Sequence, residues 1–141
     1  MPHALIAPLL VGHGLITSVI GFGAVTSPNA PAMALPSWVA WWPGPFGRSW
    51  FFEAFSFGPA AQMVGGLVWL TAGLLIVAGG LGWFGLGFLE ESRVTLLVAG
   101  AGLSLVALAL YFHPFYLVAV AINIAIVLVL WGDFVAARAS V

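Results

Sequence analysis

Residues 60 to 84 read AAQMVGGLVWLTAGLLIVAGGLGWF, 25 positions without one charged side chain. A helix needs about 20 mostly apolar residues to cross the ~30 Å hydrocarbon layer of a bilayer. Within lipid it satisfies its own backbone hydrogen bonds, which an irregular segment cannot do. The stretch therefore predicts a transmembrane helix, and three further runs match it: Ala4 to Val25, Arg93 to Phe112 and Pro114 to Gly132. Together they predict an all-α fold, an integral membrane four-helix bundle formed by residues 1–141 as one domain. No repeat of 20 to 50 residues argues for a further division.

Composition agrees with this reading. Charged residues make up 5% of the 141, against 63% apolar, where a water-soluble domain carries about a quarter charged. The absence of cysteine closes disulfide, thiolate-metal and CxxC redox chemistry. Three arginines without any lysine leave no basic patch to displace phosphate counterions, so nucleic acid is not an expected partner. The segment Ala30 to Ala34 (APAMA) has the small residues of a signal-peptidase site, but the basic region such a peptide carries is missing. The first run is accordingly expected to be a retained anchor.

Between the first two runs, Pro28, Pro31, Pro36, Pro43 and Pro45 forbid a long continuous helix. The same connection is rich in aromatics. Trp38, Trp41 and Trp42 follow Ser37, a candidate N-cap, at helical spacing, and Phe51, Phe52 and Phe55 repeat that spacing. Residues 37–57 are thus expected to form two short amphipathic turns in the membrane interface. Trp38, Trp41, Trp42 and Trp50 would sit at headgroup level with Arg48. Further on, the loop Gly85 to Ser92 carries Glu90 and Glu91, with Ser92 expected to cap the third helix. His113-Pro114 marks a tight hairpin into the fourth. An even number of spans puts both termini on one side. Arg93 and Arg138 against Arg48 then favour cytoplasmic termini, in a bacterial inner membrane.

Helices in lipid associate through close backbone approach and polar contacts, so small residues mark contact faces. The second helix aligns Gln62, Gly66, Trp69 and Gly73, the third Gly100, Ser104, Ala107 and Tyr111, and the fourth Tyr116, Ala119 and Asn123. The first aligns His13, Thr17 and Gly21. Each helix is expected to turn one such stripe inward, with Gly66, Gly73, Gly100, Ser104 and Ala119 as packing residues.

His13 is an ionisable group at membrane depth, where such groups mark function by default; a satisfied structural histidine is the competing account. Asn123 is the one amide in the fourth span and suits a cross-helix hydrogen bond. With Trp69 these form the candidate cofactor-binding set, and a quinone or a pigment is the candidate ligand, though the sequence requires no cofactor. His13 and His113 are separated by about 15 Å of helical rise, too far for one bis-histidine haem. No HxxxH or ExxH spacing suggests a metal site, and no acid within a span could orient His13 as a catalytic base, so no catalytic residue is assigned.

Taken together, His13-Gly14-Leu15-Ile16 with Gly21-Phe22, the Gly66-Leu67-Val68-Trp69-Leu70 run, Leu103-Ser104-Leu105 and Asn123 resemble small four-helix bacterial membrane proteins whose first helix reads HGLIH and then GF, a group loosely similar to DoxX-like proteins. The resemblance implies the four-helix fold and no established reaction. Thr17 stands where that pattern has its second histidine. The expected function is a non-enzymatic accessory or structural subunit of a membrane assembly, in contact with lipid and with protein subunits or further copies of itself. A quinone-, lipid- or pigment-binding redox accessory protein is the first alternative. An oligomeric channel or transporter is the second, against which the lack of a ring-forming charge in any span argues.

Overall fold

The computed structural model describes residues 3–30, 37–39, 41–43 and 46–139. Pro31, Pro36 and Pro45 lie outside the described residues, as do the side chains of His3 and Arg138. The elements in order are α1 (His3–Thr26), α2 (Trp50–Ala54), α3 (Gly58–Gly82), α4 (Phe88–Leu110), a 3₁₀ turn (Pro114–Tyr116) and α5 (Leu117–Ala139). Four helices are long and apolar enough to cross a membrane, and the described residues contain no strand. The protein is a four-helix membrane protein.

The centre of the bundle is α3, whose small-residue pairs Gly65-Gly66, Ala72-Gly73 and Gly79-Gly80 recur every seven residues. Gly66 and Gly73 turn toward α1: a Cβ on Gly66 would stand 2.9 Å from Val25 N, and one on Gly73 would stand 2.6 Å from Gly14 O. A Cβ on Gly14 would in turn lie 2.7 Å from Val77 N. Low numbers on α1 meet high numbers on α3, so the pair is antiparallel. The register Gly14, Ser18, Gly21, Val25 against Gly66, Leu70, Gly73, Val77 alternates steps of four and three, the spacing of a coiled-coil seam. One position earlier on α3, Gly65, Trp69, Ala72, Ile76 and Gly79 form a second seam, roughly 100° around the helix, that packs on α4. There a Cβ on Gly100 would stand 3.0 Å from Ala72 O.

This arrangement corrects the expectation of one inward stripe per helix. Gly66 and Gly73 belong to the α1 seam, whereas Trp69 belongs to the α4 seam. On α1, Gly14, Ser18 and Gly21 meet α3, and His13 lies on a neighbouring edge toward α5. A helix flanked by two partners needs two faces, and one 3.6-residue stripe cannot supply both.

The α3–α4 turn also differs from expectation. α4 starts at Phe88, not Arg93, because Gly85 (φ 74°) and Gly87 (φ 47°) take up left-handed backbone and shorten the connection. Gly87 is the N-cap, and Ser92 is an exposed residue inside the helix with no capping role. Glu90 and Glu91 thereby enter the first turn, next to the positive end of the helix dipole. Among the described residues of the connection before α3, 37–39 form a turn and only Trp50–Ala54 is helical.

Candidate functional site

Polar side chains inside the bundle converge on Asn123, which is completely buried on α5. Its Nδ2 donates to Ser104 Oγ on α4 and to the Ala119 carbonyl one turn earlier, each at 2.9 Å. Its Oδ1 lies 3.2 Å from His13 Nε2 on α1. One amide thus ties three helices together. The other hydroxyls of α1 are spent locally, since Thr17 donates to the His13 carbonyl at 2.9 Å and Ser18 to that of Gly14 at 2.8 Å. His13 and Asn123, separate candidates in the sequence, are brought into one hydrogen bond, and Ser104 joins them as Asn123's partner as well as a packing residue.

Trp69 lies elsewhere. It is buried edge-on to Tyr111 (centroids 6.1 Å, 88°) and tilted against Tyr116 (5.5 Å), in a cluster with Ala107 and Leu108. Its indole N–H has no hydrogen-bond partner among the described residues. Ala119 packs against the edge of the same cluster. Above this cluster sits His113, fully buried, its Nδ1 accepting the Phe115 N–H at 3.1 Å as an N-cap of the 3₁₀ turn. Burial holds its pKa below the ordinary value of 6.5. Tyr111 donates its hydroxyl to the Gln62 carbonyl at 3.0 Å, and burial pushes its pKa up to about 12, so it remains a donor.

The aromatic connection divides in two. Trp38 and Trp41 are about two-thirds exposed, whereas Trp42 is half-buried edge-on to Phe112 at 5.2 Å. Trp50 donates its indole N–H to the Ala109 carbonyl at 2.8 Å, and Ser49 Oγ donates to that of Leu110 at 2.7 Å while accepting the Phe52 N–H. The last carbonyls of a helix have no partner within it, so the start of α2 serves as a cap for the end of α4. Sequence reading misses this because the residues are about 60 apart and neither capping rule spans separate helices. Arg48 is paired with Glu53 at 2.6 Å.

Under this connection lies a cavity of about 320 Å³, lined by Ile20, Gly23, Phe46, Arg48, Gln62 and Tyr116 among others. Its walls are mostly apolar, with Arg48, Gln62 and Tyr116 among the polar side chains that line it, and its volume falls at the lower end of small-molecule sites. Among the described residues no three His, Cys, Asp or Glu side chains cluster as metal ligands would. Comparison with protein-family models, with curated proteins and with solved structures found no match to this chain.

Proposed function

We propose that this chain is a non-enzymatic accessory subunit of a larger membrane assembly. The uneven burial of its helices carries the reading. In α3, 44% of the most apolar window is buried, but in α5 only 17%, and Val118, Leu128 and Val129 of α5 are each more than 70% exposed. α5 is held mainly by α4 and by Asn123 and has surface to spare for a partner helix. On this reading the protein sits in a bacterial inner membrane with both termini in the cytoplasm, as the arginine balance and the resemblance to DoxX-like proteins support.

A photo-crosslinking residue at Val118 or Leu128, compared with one at the exposed Leu15 on the side of α1 away from His13, tests the reading in the native membrane. Protein adducts are expected from α5 and lipid adducts from Leu15, and native mass spectrometry of the gently extracted complex should show the same partner. Lipid adducts alone at all three positions would sink the proposal. A second reading, an amphiphile-binding protein for a quinone, lipid or pigment, is favoured by the cavity beside Arg48, Gln62 and Tyr116. A bound small molecule without protein adducts would promote it.

A further inference from the structure

The second ring nitrogen of His13 has a chemistry that its neighbours dictate. The Ala119 carbonyl can only accept, so the atom of Asn123 at 2.9 Å from it must be the amide nitrogen, which also reaches Ser104 Oγ. The amide oxygen is then what faces His13 Nε2 at 3.2 Å. That oxygen too can only accept, so Nε2 carries the hydrogen. A neutral imidazole has one N–H, and a charge at this depth is costly, so Nδ1 is left as a bare acceptor.

No described residue donates to Nδ1, since the nearby hydroxyls of Thr17 and Ser18 are committed to backbone carbonyls. His13 is only half-buried, and Nδ1 is not among the sealed polar atoms that lack partners. The ring reaches α5 through Nε2, and the α1 and α5 backbones on either side of it do not approach as closely as those of the other neighbouring pairs. The same edge of α1 carries Leu9, Leu10, Ile16 and Ile20, so the surroundings are apolar.

We infer that His13 Nδ1 is the anchoring point for the hydroxyl group of an apolar, membrane-dissolved molecule lying in the α1/α5 seam. Asn123 is the positioning residue that makes the site accept a hydroxyl and refuse a carbonyl. His13 is eight residues inside the span that begins at Leu5, about 12 Å of helical rise. Phospholipid headgroups do not reach that depth, so the hydroxyl must belong to a largely hydrocarbon body. A reduced quinone and a long-chain alcohol share this chemistry, whereas an oxidised quinone offers only acceptors. The site does not depend on the accessory role proposed above.

The test uses the full chain in lipid nanodiscs with ¹⁵N-labelled histidine, the His13 signals being assigned from a His13→Asn variant that keeps its helicity. The probes are decylubiquinol, decylubiquinone and 1-dodecanol. A hydroxyl bonded to Nδ1 should move that resonance upfield, and the quinol should bind roughly tenfold or more tighter than its quinone, the usual consequence of leaving a buried polar group unpaired. A response to quinol alone identifies a quinol site, and a response to dodecanol, with or without quinol, identifies a general hydroxyl site; both support the inference. Quinone binding detectably and as tightly as quinol, or an Nδ1 resonance that none of the probes moves, would overturn it.

Asn123→Leu releases the tautomer, so the preference for quinol over quinone should collapse, while Ser104→Ala, which leaves the bond to Ala119, should retain it. A preference unchanged in Asn123→Leu would overturn the role of Asn123. If that variant does not fold, the wild-type comparison still decides the site.

Discussion

Alanine replacement of Gly21 offers a direct measure of how far the α1/α3 seam determines the fold. In an isolated helix the change would stabilise by about 1 kcal/mol, because alanine has the higher helix propensity. In the bundle the new methyl group would meet the Leu70 backbone nitrogen and would stand 2.7 Å from the Gly66 carbonyl. Both are main-chain atoms, so no side-chain rotation relieves the overlap and the helices must separate. Overpacking of this kind costs about 1–3 kcal/mol, and separation also forfeits the close contacts at Gly14 and Gly73. The expected net effect is a loss of about 1–2 kcal/mol. Gly12 and Gly23 lie on the same helix, and a Cβ at either would meet nothing within 4 Å. Their alanine variants should therefore gain up to about 1 kcal/mol. Unfolding in mixed micelles by increasing SDS, followed by circular dichroism, compares all three against the wild type. Gly21→Ala matching Gly23→Ala in stability would show that α1 and α3 are not in backbone contact.

Ser49→Ala removes the hydroxyl that joins Leu110 and Phe52 and should cost about 1–2 kcal/mol, read as a lower unfolding midpoint with faster proteolysis at the α2 connection; wild-type resistance there would argue against the cap. His113 predicts a pH dependence. Because folding lowers its pKa, the unfolded chain takes up a proton near pH 6.5 before the folded one does, so its contribution is complete above 6.5 and is lost as pH falls from there through the folded value. The melting temperature should drop as pH falls below 6.5, with a shallower drop in His113→Gln; parallel slopes would place the titration on another group. Tyr111→Phe deletes the bond to the Gln62 carbonyl and should destabilise by about 1 kcal/mol, checked in the same SDS titration, where no change would mean the hydroxyl is solvated.

The four spans were legible in the chain because hydropathy is additive along the sequence: residues 60 to 84 are apolar whatever their neighbours. The hairpin at His113-Pro114 was legible because proline acts on its own backbone, and His113 and Pro114 do open the 3₁₀ turn. The partition of small residues among seams was not read, although Gly65-Gly66, Ala72-Gly73 and Gly79-Gly80 recur every seven positions, a signal that α3 meets two partners at once. The start of α4 was missed because two left-handed glycines, not the polar run after them, set where the turn ends. His13 and Asn123 stood out individually as polar groups in apolar spans. Their hydrogen bond, the tautomer it imposes and the bare Nδ1 that follows are facts of tertiary structure, since they depend on the depth and rotation at which α1, α4 and α5 meet. Hydropathy states that a segment lies in the membrane, and only packing decides which side of it faces another helix.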